Sequence, residues 1–374
     1  MTDGSVHEGG SVHEGGFVYE ALPMRVVFGR GSLARLPEEA ERTGARRILV
    51  LSTPQQRDLA ARVAGLLGPR AVGVFDQARM HVPVETVAAA EAVADGLAAD
   101  GCVAAGGGST IGLSKALALR RGLPVVAVPT TYAGSEMTPI WGLTENGRKT
   151  TGRDPVVLPR GVVYDPDLTM TLPAAVSVTS GVNAIAHAVE ALYAPDGSPV
   201  VAAMAEQGVR DLAAALPSLA ADTGDTSDTG DTAGREAALR GAWLCGACLG
   251  ATTMSLHHKL CHVLGGMLNL PHAETHAVML PHVAAYNLPA APGADAALRR
   301  ALGAYDAAAA LAALATGPGV PGGLRELGVA EADLDRVADE VLAAPYANPR
   351  PVNRPELAAL LRAAWTGSTP GGTS

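Results

Sequence analysis

Residues 256–282 read LHHKLCHVLGGMLNLPHAETHAVMLPH and hold six of the chain's ten histidines. Imidazoles at this density either gather a divalent metal, or move protons and hold anions without one. His258 and His262 are four residues apart, so on a helix they share a face. His272 follows, after a break expected at Gly265–Gly266, as a loop histidine. Upstream, GVNAIAHAVEALYA (181–194) reads as a helix that sets Asn183 and His187 on one face. Two helical pairs and a later histidine can assemble a metal site. The competing reading for any single apolar-face histidine is a packed core residue.

A second chemical signal lies in AAGGGSTIGLSKALAL (104–119). Gly106, Gly107 and Gly108 separate a strand from a helix, and without Cβ atoms they let the backbone approach a ligand closely. The helix N-terminus behind them suits a pyrophosphate, with Ser109 adding a hydroxyl or a cap. The spacing is GGGS rather than G-x-G-x-x-G, so a plain tight turn competes with phosphate binding. VPTTYAGSEMT (128–138) follows the next strand. Thr130, Thr131 and Ser135 sit where open α/β sheets bind ligands, and can hold ribose or a carboxamide; a simple turn is the alternative.

The elements that must position these groups follow from periodicity. Short β-branched runs at 46–52, 71–76, 102–109 and 124–131 alternate with helical patterns at 53–67, 84–98 and 110–119, which predicts a parallel sheet with helices on both faces. From about Pro173 the strands give way to long Ala/Leu-rich helical segments. The expected organisation is a tail at 1–16, a dinucleotide-binding α/β domain at 17–172, an all-α domain at 173–366 and a frayed tail at 367–374. DTGDTSDTGDTAG (222–234) is expected to be a solvated loop. SVHEGG, repeated at 5–16 with His7 and His13, reads as a disordered segment, with a metal-binding tail as the sharper alternative.

Composition narrows the function. With 374 residues about two domains are expected. A net charge of -9 argues against a general nucleic-acid binder, although a local site can still take an anion. No apolar run suggests a membrane span or a signal peptide, and four cysteines make no disulfide framework, so a cytoplasmic setting is expected. Cys245 and Cys248 form a CxxC, but inside an apolar helical run they read as packed thiols rather than a redox or zinc pair. Lysine occurs only at positions 115, 149 and 259, amid abundant arginine, which reads as a coding bias.

GGGS after a strand, PTTYAGSE, DPDLTMTLP, GVNAIAHAVEALYA and H-x3-H-x9-H together resemble the iron-containing alcohol dehydrogenase family, from about Phe17 to about Trp365. The resemblance implies the dehydroquinate synthase-like fold, an α/β dinucleotide-binding domain followed by an all-α domain. It also implies a homodimer. In metal-dependent members an Asp and three His bind iron or zinc, at positions that are Asn183, His187, His258 and His272 here. Asn183 lacks the anionic oxygen a divalent ion favours, so the site is expected to be vestigial and no metal to be required. Gly112 likewise replaces the acid that usually follows GGGSxx.

These departures, with WLCGACLGATTM, LHHKLCHVLGG and PHAETHAVMLPH, resemble the branch of the family that reduces the C=C bond of maleylacetate, a small dianion, with NADH or NADPH during aromatic-ring degradation. The resemblance implies catalysis by His262, His258, His187 and His272, with His262 first for proton transfer. It implies substrate contacts from Asn183, His81, Lys259 and His276. His257 and His282 are left out as pointing elsewhere. Thr53 stands where an acid disfavours NADP, and Arg57 can approach a 2′-phosphate, so NADH is expected to work and NADPH stays open. The alternatives are a metal-dependent alcohol dehydrogenase, a metal-dependent lyase of the dehydroquinate synthase type, and a binding-only homologue.

Overall fold

A computed structural model describes residues 17–145, 148–222 and 231–368. The SVHEGG repeat, most of the Asp/Thr/Gly loop and the last six residues lie outside them.

The first half of the chain builds a sheet from β1 (Arg25–Phe28), β2 (Ile48–Leu51), β3 (Ala71–Phe75), β4 (Gly101–Gly106), β5 (Val125–Pro129) and, after the hairpin β6 (Ile140–Glu145)–β7 (Arg148–Arg153), β8 (Gly161–Tyr164). The six main strands are parallel, in the order β1-β8-β5-β4-β2-β3. Helices α1 (Leu36–Arg42), α2 (Arg57–Leu67), α3 (Val84–Gly96) and α4 (Gly108–Arg121) cover it.

Period-two alternation sorts the strand side chains between the layers. Leu49, Leu51, Ala104 and Val125 pack with α3 and α4 through Val87, Ala90, Leu113 and Leu117. Val50, Val103, Ala105 and Val126 pack with α1 and α2 through Leu36, Ala60 and Val63. Burial on both faces explains why these strands read as unbroken apolar runs.

From Ala174 onward the architecture is helical: α5 (Ala174–Ala191), α6 (Pro199–Ala220), α7 (Thr232–Ala251), α8 (Leu256–Leu268), α9 (His272–Asn287), α10 (Pro292–Leu302), α11 (Ala307–Leu314), α12 (Leu334–Leu342) and α13 (Arg354–Thr366). Every residue of α5 from Ser177 to Ala191 is buried, so α5 is the axis around which the others pack. Small residues let its neighbours close in; a Cβ on Gly181 would lie 2.6 Å from Leu216 Cδ2. Sheet and helices share one core, in which Ala127, Val162 and Tyr164 meet Val182, Ile185 and Ala242. Phe28, Tyr164 and Trp243 pack ring to ring across that joint, 6.1–6.5 Å apart.

Four expectations need correction. β1, β8 and the β6–β7 hairpin were not legible: RVVF and GVVY are only four residues long, and the hairpin is largely polar. Gly265–Gly266 does not break the chain. Helix α8 runs through it to Leu268 and stops at Asn269, which is left-handed (φ 53°). His272 is therefore not a loop residue; it opens α9 directly after Pro271. The loop expected to reach Gly234 ends earlier, because Asp231 accepts from Gly234 N (2.7 Å) and starts α7 at Thr232.

Gly246, inside the CxxC, is one close point of contact between the halves. Its Cβ would meet Gly134 O at 2.8 Å, in the loop after β5. Gly246→Ala must push backbone against backbone, so it is expected to lower unfolding free energy by about 1–3 kcal/mol. Urea denaturation measures this; an unchanged midpoint would mean the contact relaxes freely.

Candidate active site

Asn183, His187 and Glu190 sit at i, i+4 and i+7 of α5, on one stripe. All three are buried, Glu190 completely (0% exposed). Glu190 accepts from Ser255 N (2.8 Å) and His257 N (2.7 Å), the first N–H groups of α8. A carboxylate there satisfies orphan donors and complements the helix dipole. Its Oε2 also lies 2.7 Å from His258 Nδ1. On the other side of that ring, His258 Nε2 lies 2.8 Å from His187 Nδ1, and His187 Nε2 lies 3.2 Å from Ala133 O.

Hydrogen counting limits what this line can be. Three links need three hydrogens, while a carboxylate and two neutral imidazoles supply two. The line is fully bonded only when it holds one more proton, which makes it net neutral. Burial favours a neutral group over a net anion.

The other histidines surround this line. His262 packs 6.2 Å from the His258 ring and 6.3 Å from that of His272, and His276 lies 4.2 Å from His272 and 5.0 Å from His258. The structure thus brings together His187, His258, His262, His272 and His276. His257, set aside from sequence, backs them: its Nε2 lies 2.9 Å from His276 Nδ1, with Cys261 Sγ at 3.8 Å. His282 is buried outside the group.

Burial favours the neutral form of His187, His257, His262, His272 and His276. It pushes His187 down to about 3, helped by His258, and His262 down to about 3, helped by Lys149. His257, His272 and His276 fall well below the ordinary value for the same leading reason. A bound anion would offset that burden.

His81 stands apart from the ring cluster. With Lys149 and Thr144 it lines a cavity of about 170 Å³ against Gly265, Gly266 and Asn269 at the end of α8. His81 and Val82 both have positive φ (63° and 49°), and the turn is held by Thr144 through Oγ1 to His81 O (2.7 Å) and N to Val82 O (3.1 Å). Strain of this kind persists only where neighbours over-determine it. Lys259 lies on α8 half-buried, and among the described residues its side chain makes no hydrogen bond or ion pair.

The glycine turn fits a dinucleotide. Gly106 has φ 157°, and a Cβ there would strike Thr110 Oγ1 (2.4 Å) and Gln56 Oε1 (2.6 Å); one on Gly107 would lie 2.9 Å from Thr131 Cγ2. Gly108 is exposed, and α4 begins at it with no side chain capping its N-terminus. Ser109 is thus inside the helix, and the N-cap is Gly107. Thr130 Oγ1 accepts from Gln56 Nε2 (2.6 Å), which braces the turn. Ser135 offers its carbonyl to Lys115 Nζ (2.6 Å), whose ammonium also reaches Thr138 and Ile140.

The metal positions of the family can be tested on these donors. Both ring nitrogens of His258 and of His187 already have partners, so neither ring aims a free lone pair at an ion. Asn183 is a neutral amide; its Nδ2 lies 3.4 Å from Ala133 O, and its buried Oδ1 has no partner. Among the described residues, His187, His258 and His272 do not bring three ligand atoms within 4.8 Å, whereas His257, Cys261 and His276 do. Burial raises the Cys261 thiol well above its ordinary value, which opposes the thiolate a metal needs. Cys245 and Cys248 are free, buried thiols in the helical core.

Comparison with known proteins places the chain. Residues 23–166 match the iron-containing alcohol dehydrogenase model, and residues 177–365 match the C-terminal model of the same family. The chain belongs to the iron-containing alcohol dehydrogenase family. It is 54% identical over 351 residues to the maleylacetate reductase of Pseudomonas sp. (strain P51), covering 94% of this chain and 98% of that one. The crystal structure of maleylacetate reductase from Agrobacterium tumefaciens is 51% identical, with TM-score 0.88 over 95% of this chain and 99% of that one. An iron-containing alcohol dehydrogenase from Corynebacterium glutamicum is 42% identical, with TM-score 0.86 over 94% and 97%.

Two site residues escaped the sequence reading. Glu190 lies three residues after His187, and that spacing was its signal. Lys149 is one of only three lysines in an arginine-rich chain.

The buried histidines set a pH dependence. Burial pushes His187 and His262 down to about 3, against 6.5 for an ordinary histidine, and lowers His257, His272 and His276 as well, so the unfolded chain binds more protons at low pH. The stability they support is complete above about pH 6.5 and is lost as pH falls toward 3. Each contributes a slope of up to about 1.4 kcal/mol per pH unit. Melting temperature should drop between pH 7 and pH 5; a flat profile would contradict neutral burial.

Proposed function

We propose that this protein reduces the C=C bond of maleylacetate to 3-oxoadipate, with NADH as donor and NADPH also accepted, and without a catalytic metal. The site is the cleft between the carboxyl ends of the strands and helices α5, α8 and α9. The observation that carries this reading is the bonded line Glu190–His258–His187 beside Asn183. It uses the imidazole lone pairs that a metal would need, and it holds a proton where the alcohol dehydrogenases hold an ion. The relatives that are at least half identical over nearly the whole chain and carry the maleylacetate reductase name support the substrate.

Gly106, Gly107, Gly108 and Ser109 hold the pyrophosphate, and Thr130, Thr131 and Ser135 flank the nicotinamide half. When bound, a reduced nicotinamide would supply hydride to the carbon β to the ketone. Negative charge then develops on the ketone oxygen, where N–H donors of the histidine cluster stabilise it. His262, protonated once the dianion is bound, delivers that proton to the α-carbon and returns to neutral imidazole, and the His187–His258–Glu190 line can replenish it. His81, Lys259, His276 and Asn183 contact the dianion. The reaction consumes one hydride and one proton per substrate.

The same reading carries a homodimer. Phe17 and Val18, which precede β1 in the chain, are 51% and 75% exposed, and β1 is an edge strand of the sheet, where a second copy can pack. No helix among the described residues is long and apolar enough to cross a membrane.

Maleylacetate and NADH should yield 3-oxoadipate one-for-one with NADH consumed, followed by absorbance and product analysis. His262→Gln should lower kcat about 10²–10⁴-fold. Near-normal turnover by that variant would remove His262 from proton transfer, and oxidation of simple alcohols without any maleylacetate reduction would favour the alcohol dehydrogenase reading.

A further inference from the structure

The sheet order says where the rest of a dinucleotide must lie. The glycine turn ends β4, whose neighbours are β5 and β2. The β5 side leads through the 130–138 loop to Ala133 and the histidine cluster, so the nicotinamide half takes that side. The adenosine half is left with the ends of β2 and β3.

Those ends carry one charged pair. Gln56, which presses on Gly106, is followed by Arg57, the first residue of α2. Arg57 Nε binds the carboxylate of Asp76, just beyond β3. The Arg57 side chain is 68% exposed and that of Asp76 22%. Ser52 and Thr53, which directly follow β2, are uncharged.

Resting on the nicotinamide-dependent reading above, we propose that the Arg57–Asp76 pair sets the choice between NADPH and NADH. A guanidinium is the natural receptor for the 2′-phosphate of NADPH, because it can bind phosphate through two parallel N–H donors. A carboxylate accepts the ribose hydroxyls of NADH and repels a phosphate. Here the two neutralise each other. An exposed ion pair is weak, so a phosphate can draw Arg57 away at small cost. The pair therefore tolerates both cofactors: Asp76 restrains the affinity for NADPH, and Arg57 provides it.

The test is direct binding of NADPH and of NADH, by nucleotide fluorescence without any second substrate. Arg57→Met should lower the NADPH-to-NADH affinity ratio about 10–100-fold, as for the loss of a charge-assisted hydrogen bond. Asp76→Asn should raise that ratio several-fold, and Arg57→Lys should keep part of the wild-type ratio. Ratios unchanged in both Arg57→Met and Asp76→Asn would overturn the proposal, as would an equal loss of both cofactors in Arg57→Met. Because no second substrate is present, these ratios stand even if maleylacetate proves not to be reduced; that failure would count against the proposed reaction alone.

Discussion

The buried carboxylate of Glu190 is the constraint on which the site depends. It has no water to solvate it, so its oxygens must be filled by protein donors. Two are the first N–H groups of α8, which fixes where that helix begins. The third is His258, which fixes the orientation of the ring and passes the constraint to His187 and Ala133. One buried carboxyl group thus sets helix register and ring orientation together. Removing a partner from such a buried group typically costs several kcal/mol, more than packing elsewhere would recover.

The rest of the architecture brings a second wall to that line. The loop after β5 is pinned from both sides, by the Lys115 ammonium on its carbonyls and by the Gly134–Gly246 backbone contact. This delivers Ala133 O to both His187 and Asn183. The proposed catalytic groups therefore stand on helices, and the loop proposed to meet the cofactor is braced by the buried Lys115. Such a site is organised before substrate arrives, which is what electrostatic stabilisation of a developing charge requires. Neutral imidazoles clustered under burial suit a dianionic substrate: the anion supplies the charge that burial has denied them.

Much of this was legible in the chain. The alternating strands and helices, the glycine turn and the i, i+4 pairs Asn183–His187 and His258–His262 are periodic features, and they appear where periodicity puts them. RVVF and GVVY were missed because four residues carry too little period to separate strand from loop. Gly265–Gly266 misled because local propensity ignores what α8 packs on; Gly266 sits against Lys149, with ordinary contact distance for a Cβ. Glu190 was missed for a related reason. A glutamate on a helix reads as a solvated face until the tertiary structure shows it at the start of another helix. Of the three lysines only Lys259 was singled out, yet Lys115 braces the loop after β5 and Lys149 lines the cavity beside His81.

In the proposed reaction a proton-holding Glu190–His258–His187 line does the work that an ion does in metal-dependent relatives. The most direct measurement is the rate of NADH oxidation by maleylacetate with chelator-treated protein whose metal content has been measured, before and after adding zinc or iron. The account predicts full activity without metal and no gain on its addition. Activity that appears only when metal returns would contradict it, and would mean that the His187–His258 bond opens to admit an ion.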